Sequence, residues 1–304
     1  MKDLKILLVV LAFVGITYYG VEPYAHSVMH KHVEGHDFTY PDLKAAPKGN
    51  AEAGKAKAAT ACAGCHGIEA AGMKAPMDAS ASAAAYGVNP PDLSKAGALY
   101  DTKFLVDLMQ NPTHATKVKK FAMPPSSVSS AQDAADIAAY LKSIAPKEIT
   151  PKEAYEAACG RCHAMRYAKW TQIGTTPKTK MNIKTGKNED LMKFNLKVAE
   201  YQDHLAKYMG KLPPDLSIII RARSEHFLET FVEDPQSQLP GTAMPRVGLT
   251  KEGYEKVEAY LEEVGDPSKP KRAAVGPWVI GFFFIFTLLA YGWYKSQWRG
   301  LKDH

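Results

Sequence analysis

Residues 62–66, CAGCH, and residues 159–163, CGRCH, contain all four cysteines of this 304-residue chain. Both stretches have the pattern Cys-x-x-Cys-His. Because no thiol lies outside them, the sequence leaves none for a disulfide framework or for a separate cysteine nucleophile. The two copies are 97 residues apart, which indicates a chain built around a repeated unit.

The chemistry of the pattern points to covalently bound haem c, whose attachment signature it is. Residues i and i+3 of a helical turn share a face, so both thiols can reach the two vinyl groups, and the histidine that follows can bind the iron. We therefore expect two haems c. The attaching cysteines are Cys62, Cys65, Cys159 and Cys162, and the iron ligands are His66 and His163.

Two other uses of Cys-x-x-Cys pairs have to be weighed against haem. Four cysteines could hold zinc, but the pairs are 97 residues apart and each is followed directly by histidine. A thioredoxin-like redox pair requires an α/β context, and no stretch of either unit alternates convincingly as a strand. Both alternatives are therefore disfavoured.

The repeat extends beyond these motifs. Each copy continues with Pro-Pro-Asp-Leu, Ala-Met-Pro and Ala-Tyr-Leu, which begin at residues 90, 122 and 139 in the first copy and 213, 243 and 259 in the second. Apolar residues recur at helical spacing in the closing segments, 131–144 and 251–264. The sequence thus predicts two homologous, mainly α modules.

Iron that is bound to one histidine needs a sixth ligand. A thioether favours ferrous iron and suits electron transfer. Met123 and Met244 each stand before a proline, between the Cys-x-x-Cys-His motif and the closing helix, and we predict that they are the sixth ligands. His114 competes with Met123, and His204 or His226 competes with Met244.

The other methionines and histidines have less specific signals. Packing in the core is the usual role of methionine, and we expect it of Met109, Met165 and Met209. A cluster near the N-terminus could bind a metal, but no surrounding hydrogen-bond partners can be identified from the sequence. Its members are His26, His30, His32 and His36.

An uncharged stretch of 22 residues, 273–294, predicts a C-terminal transmembrane helix. At ~1.5 Å rise per residue it would be about 33 Å long, close to the hydrocarbon thickness of a bilayer. Aromatic residues also lie where an interfacial belt is expected. They are Trp278, Trp293, Tyr294 and Trp298.

The N-terminal stretch 6–21 is also uncharged and follows Lys2 and Lys5. We favour a retained membrane anchor over residues 1–25, with a cleaved signal peptide as the alternative. Either one carries the middle of the chain across the membrane, and a retained anchor leaves both termini in the cytoplasm. Haem c is attached outside the cytoplasmic membrane, which places the modules in the periplasm.

The domain boundaries follow from these landmarks. After a linker, 26–48, the first module covers residues 49–146 and the second covers 151–266. Nine basic and eight acidic residues in the first, and seventeen and sixteen in residues 151–265, give each a charge of +1. Such a balance argues against binding of nucleic acid.

The second module carries an insertion of about 26 residues within 166–211, which holds ten basic and four acidic residues. Apolar residues at near-helical spacing predict that it contains an ordered helix. We expect its positive charge to steer an acidic partner or to contact anionic lipid of the membrane. The lysines proposed for this contact are Lys178, Lys180, Lys184 and Lys187.

Both modules resemble known cytochromes. The first, with CxxCH, NPPDL at 89–93 and AMPP at 122–125, resembles a class I cytochrome c domain of the kind found in diheme cytochromes c4. The second resembles cytochrome c1, on CGRCH followed by MRY, PPDLS followed by RAR at 221–223, AMP at 243–245 and the C-terminal anchor. The resemblance implies two tandem class I cytochrome c domains flanked by transmembrane helices.

The whole chain resembles the diheme cytochrome c subunit of an epsilonproteobacterial-type bc1 complex. This resemblance implies an electron-transfer subunit of a quinol:cytochrome c oxidoreductase, without independent catalysis, in the bacterial inner membrane. Its partners would be cytochrome b, the Rieske iron–sulfur subunit, and a periplasmic cytochrome c or terminal oxidase as acceptor. Arg221 and Arg223 would pair with a haem propionate.

The chain departs from ordinary cytochrome c1 in two ways, because it has the first module and because residues 224–241 do not form the usual glycine-rich loop. Three alternatives remain. A diheme subunit of a cbb3-type oxidase is normally anchored only at its N-terminus. The electron-accepting cytochrome of a periplasmic dehydrogenase is a second. A diheme peroxidase, the third, requires an open or displaceable sixth position on one iron.

Overall fold

The computed structural model describes residues 2–29, 34–124, 128–178 and 188–299. The described chain is mostly helical and has one short β-hairpin. A long apolar helical segment lies at each end, and the modules lie between them. This confirms the predicted fold class.

The two terminal segments are long and apolar enough to cross a membrane. The N-terminal one comprises α1 (Lys2–Ile16), a π-helical turn (Thr17–Val21) and α2 (Glu22–Met29), and the C-terminal one is α15 (Lys269–Gln297). Their apolar spans, Leu4–Ala25 and Lys269–Gln297, both have a mean hydropathy of 2.1, and no part of either is buried against the rest of the protein. Unburied apolar helices of this length are typical of membrane spans.

The described part of the first module contains six α-helices. They are α3 (Ala51–Ala61), α4 (Ala79–Tyr86), α5 (Ala96–Leu99), α6 (Thr102–Gln110), α7 (Pro112–Thr116) and α8 (Ala131–Ile144). Helix α3 crosses α8 closely, since a Cβ atom at Gly54 would lie 1.9 Å from the Asp136 carbonyl oxygen. The Asp136 carboxylate holds this crossing by accepting from the Asn50 amide at 2.8 Å and from Lys57 Nζ at 2.6 Å.

The second module repeats this arrangement with additions. Its helices are α9 (Pro151–Ala158), α10 (Glu189–Met209), α11 (Ile219–Ala222), α12 (Glu225–Glu233), α13 (Pro235–Gln238) and α14 (Lys251–Gly265). Helix α9 packs on α14, with the rings of Tyr155 and Tyr260 5.2 Å apart. A hairpin of β1 (Trp170–Thr171) and β2 (Gly174–Thr175) was not predicted, because two-residue strands are too short to show alternation.

Helix α10 confirms the ordered helix predicted in the insertion, and it packs against the first module. Tyr201 and Leu205 are fully buried and lie against Ala83 of α4. The Tyr201 hydroxyl donates to the Arg161 carbonyl oxygen at 2.8 Å. Lys178 is exposed, whereas Lys180, Lys184 and Lys187 lie outside the described residues.

Part of the predicted linker is packed into the protein. We call residues 36–43 the N-terminal strap. Phe38, Tyr40 and Leu43 are buried there, and the Tyr40 hydroxyl donates to the Leu249 carbonyl oxygen at 2.6 Å. The amide of Phe38 donates to the Glu233 carboxylate at 2.7 Å. The sequence did not reveal this packing because every partner of the strap is distant in the chain.

The strap and both modules share one apolar core. Leu99 and Phe104 of the first module pack with Leu249 and Val257 of the second and with the strap. The amide of Thr250 donates to the Leu99 carbonyl oxygen at 2.8 Å. The modules are therefore joined by backbone hydrogen bonds as well as by apolar contacts.

A three-residue joint connects the second module to α15. Asp266, directly after α14, receives two hydrogen bonds from Arg272, at 2.7 and 2.5 Å. Lys269 forms ion pairs with Glu225 and Glu262. These contacts tie the first turn of α15 to the end of the module.

Candidate functional site

The two Cys-x-x-Cys-His motifs begin where α3 and α9 end. The amide of Cys62 donates to the Ala58 carbonyl oxygen at 2.9 Å, and the amide of Cys159 donates to that of Tyr155 at 2.8 Å. Each motif therefore starts from the last helical hydrogen bond, which fixes its direction relative to the module.

A tight turn then brings the motif residues together. The amides of His66 and His163 donate to the carbonyl oxygens of Cys62 and Cys159, both at 2.9 Å. The Cys65 and Cys162 amides donate to the same two oxygens at 3.1 Å. This is the helical turn expected from the spacing.

Both histidine rings are oriented by the Pro-Pro-Asp-Leu loops. Nδ1 of His66 lies 2.8 Å from the Pro91 carbonyl oxygen, and Nδ1 of His163 lies 2.8 Å from that of Pro214. A carbonyl accepts, so Nδ1 carries the proton and Nε2 is left as the ligand atom. Burial lowers the pKa of both imidazoles, which favours the neutral form that binds metal.

The same carboxylate network holds each of these loops. Asp92 accepts from the amides of Glu69 and Ser94 at 3.0 and 2.9 Å. In the second module Asp215 accepts from the amides of Arg166 and Ser217, both at 3.0 Å. The aspartate of Pro-Pro-Asp-Leu thus has one structural task in both modules, as expected of a true repeat.

The two motifs open into one mainly apolar cavity of ≈ 250 Å³. The predicted attachment and ligand residues of both modules line it. They are Cys62, Cys65, His66, Met123, Cys159, Cys162, His163 and Met244. This set of thiols, imidazoles and thioethers, facing an apolar space, suits haem c with His/Met ligation.

The first thiol of each motif lacks the lowered pKa that is typical of a reactive cysteine. Burial raises the pKa of Cys62 to about 11 and that of Cys159 to about 12, so both stay protonated at neutral pH. Within the described residues, no cluster of three or more His, Cys, Asp or Glu side chains is placed to hold a metal ion. His30 and His32 of the N-terminal cluster lie outside those residues.

The predicted sixth ligands and their competitors differ in position. Met123 and Met244 are half-buried and line the cavity, whereas His114, His204 and His226 do not line it. Nδ1 of His114 instead lies 2.7 Å from the Asp107 carboxylate. The cavity therefore contains the thioether expected for each module.

The other methionines are in the core as expected, and two also reach the cavity. Met109 and Met165 are buried in the apolar clusters, whereas Met209, the last residue of α10, is half-buried against the cluster of Ala83, Tyr201 and Leu205. Met109 and Met209 also line the cavity, away from either Ala-Met-Pro motif in the sequence.

Arg221 and Arg223 are not brought to the cavity. Both are exposed, and the guanidinium of Arg223 lies 5.1 Å from the Phe227 ring centroid. The arginines that do line the cavity are Arg161, inside the second motif, and Arg246.

Arg246 is the functional candidate that the sequence did not reveal. It is 2% exposed, donates from Nε to the Ala115 carbonyl oxygen at 2.7 Å, and donates from Nη1 to both Asp42 oxygens at 2.8 Å. Its guanidinium also lies 5.3 Å from the Tyr40 ring centroid. Asp42 is 204 residues away in the chain, so no local pattern links the pair.

Comparison with known proteins finds similarity to parts of this chain. Residues 51–145 match the family model described as cytochrome c. The "Ammonia monooxygenase gamma subunit" of Nitrosomonas europaea is 28% identical over 187 residues, which cover 47% of this chain and 78% of that protein. A solved chain described as "Hyperthermophilic respiratory Complex III" is 28% identical over 50% of this chain and 75% of its own, with a TM-score of 0.34.

The family match covers the first motif, its Pro-Pro-Asp-Leu loop and Met123, and so it includes the side of the cavity that the first module contributes. A cytochrome c domain carries covalently bound haem c and serves electron transport. Between two helices that are long and apolar enough to span a membrane, this chain therefore contains a cytochrome c domain.

Proposed function

We propose that this protein is a membrane-anchored diheme cytochrome c that transfers electrons within a bc1-type quinol:cytochrome c oxidoreductase. The observation that supports two haems is the shared cavity, to which both modules contribute the same set of ligand residues. The matching histidine–proline bonds, 2.8 Å in each module, support equivalent roles for His66 and His163.

Each module's residues have a distinct task toward its haem. Two cysteines hold the porphyrin covalently, the histidine and the methionine bind iron, and the bound haem supplies a one-electron carrier. Thioethers from Met123 and Met244 would close both sixth positions. Closed positions favour electron transfer over peroxidase chemistry, which needs an open or displaceable one.

Assignment to a bc1-type complex rests on the second module. Its PPDLS, RAR and AMP motifs and the apolar α15 resemble those of a cytochrome c1. Cytochrome b and the Rieske subunit are the partners that this assignment proposes. The second haem would receive electrons from the Rieske subunit, and the first would deliver them to a periplasmic cytochrome c or a terminal oxidase.

Gentle solubilisation followed by mass spectrometry tests the assignment. We expect the chain to copurify with a b-type cytochrome and a Rieske protein, and to carry the mass of two haems. Copurification with the catalytic subunit of a haem–copper oxidase or with a periplasmic dehydrogenase would contradict the bc1 assignment. A mass that corresponds to one haem would contradict the diheme assignment.

Topology is tested separately. In the proposed arrangement both termini are cytoplasmic and both haem modules periplasmic, at the bacterial inner membrane. A reporter that is active only in the cytoplasm should be active when fused after His304. N-terminal sequencing should find Met1, whereas a mature protein that starts near Val28 would show that the first segment is a cleaved signal peptide.

A further inference from the structure

The guanidinium of Arg246 has N–H donors that the described residues do not use. Arginine has five N–H donors, and here Nε and Nη1 bond to Ala115 and Asp42. Nη2 is buried and has no hydrogen-bond partner among the described residues. A buried donor without an acceptor is destabilising, and more so when it is charged, so this position suits an acceptor that the described residues do not supply.

The position of Arg246 indicates the chemistry of that acceptor. The residue lines the cavity that holds both Cys-x-x-Cys-His motifs. A guanidinium fork is best matched by a carboxylate, and a haem carries two of them as propionates. Protein carboxylates do not fill the role, because Asp42, which pairs with Arg246, occupies only Nη1.

We propose that Arg246 donates from Nη2 to a haem propionate inside the cavity, and that Asp42 of the N-terminal strap is its positioning residue. This inference rests on the proposed haem content, and for the first module on the cytochrome c domain itself. Arg246 is a further arginine beside Arg221 and Arg223, which the resemblance implies for this role and which are exposed outside the cavity.

Contacts with three parts of the protein fix the position of the Arg246 side chain. The Arg246 amide donates to the Thr116 carbonyl oxygen at 2.9 Å, so backbone and guanidinium are both fixed to the end of α7. Asp42 accepts from Nη1, and the Tyr40 ring packs against the guanidinium. A fork held at three points keeps Nη2 directed without loss of further side-chain entropy on binding.

The charge has a predictable electrical effect. A positive charge beside a haem favours the reduced, less positive iron centre, and a low-dielectric site strengthens that effect. Arg246→Gln removes the positive charge while Asp42 remains, and so it should lower the midpoint potential of the neighbouring haem. Asp42→Asn removes the negative charge and should raise the same potential.

The test uses the full-length protein in detergent, with haem content measured first. Spectroelectrochemical titration should show a lower potential for one haem in Arg246→Gln, and the resonance Raman band of propionate bending should shift for that haem. Arg246→Lys should lower the midpoint potential less than Arg246→Gln does, because lysine retains the positive charge. It should still shift the Raman band, because lysine lacks the planar guanidinium fork. Arg272→Gln is the matched control, since it removes another bidentate arginine–aspartate pair outside the cavity.

Failure of this inference about Arg246 can be distinguished from failure of the proposed function. A protein that retains haem and copurifies as expected, but whose propionate band and potentials equal those of the parent in Arg246→Gln, would overturn this inference alone. If Arg246→Gln fails to fold or to attach haem, Asp42→Asn tests the inference in its place, because it retains the guanidinium of Arg246. An unchanged potential and an unchanged band in Asp42→Asn would then overturn the inference.

Discussion

Nδ1 of His66 lies 2.8 Å from the carbonyl oxygen of Pro91. The Pro91 carbonyl thus sets the tautomer and the orientation of His66, the histidine that we propose as an iron ligand. His163 and Pro214 have the same relationship, so the Pro-Pro-Asp-Leu motif orients the motif histidine in both modules. The predictions below test this arrangement and the packing around it.

Asp92→Ala should weaken the support of His66. Removing a carboxylate that caps backbone amides costs about 1 kcal/mol, and here it also frees the loop that carries the Pro91 carbonyl. We expect a lower thermal midpoint and a changed potential of one haem. Asp78→Ala, which removes a cap from the exposed start of α4, should lower the midpoint without changing either potential. Equal midpoint potentials in the parent and in Asp92→Ala would show that the loop held by Asp92 does not influence His66.

Haem attachment should divide evenly between the modules. The double variant Cys62→Ala/Cys65→Ala should lose half of the haem stain on a denaturing gel, and Cys159→Ala/Cys162→Ala should lose the other half. Each pair lines its own side of the cavity, so loss of one leaves the other's thiols in place. Full staining of either double variant would show that its motif carries no haem.

Met244→His should lower one midpoint potential, because imidazole replaces the thioether that favours ferrous iron. Met123→His should do the same for the other haem. The matched control is Met165→Leu, a buried methionine that does not line the cavity and should leave both potentials unchanged. A potential that is unchanged within error in Met244→His would remove Met244 from the ligands.

Leu205→Ala should loosen α10 from the first module. Leu205 is fully buried, and truncation of such a leucine costs about 2–5 kcal/mol. Leu196 lies on the same helix but is 70% exposed, so Leu196→Ala should change stability by less than about 0.5 kcal/mol. Thermal unfolding followed by circular dichroism compares the two. If they unfold alike, α10 does not stabilise the module interface.

Acid should weaken the crossing of α3 and α8. Hydrogen bonds from Lys57, Asn50 and Gln132 lower the pKa of Asp136 from 3.8 to about 2. The ionised carboxylate therefore adds stability that is complete above about pH 3.8 and is lost as the pH falls through about 2. The difference in thermal midpoint between parent and Asp136→Asn should shrink over that range, and a constant difference would contradict the assignment.

Local patterns predicted much of the fold and of the site. The Cys-x-x-Cys-His turn, the closing helices and α10 each depend on residues a few positions apart, so spacing alone indicated them. The strap and the Asp42–Arg246 pair depend on contacts across the whole chain, 204 residues for that pair, and no periodicity encodes them. Arg221 and Arg223, whose role the resemblance implies, lie outside the cavity, and their pairing with a haem propionate stays a prediction.

The joint at Asp266 restricts how far the two modules can move relative to α15. Only three residues separate α14 from α15, and both Arg272 and Lys269 bind to the second module. The modules therefore have little freedom to rotate relative to α15. Domains that shuttle electrons over a distance need a long flexible tether. On a membrane the modules would keep a fixed position, and the electron donor and acceptor would have to diffuse to them.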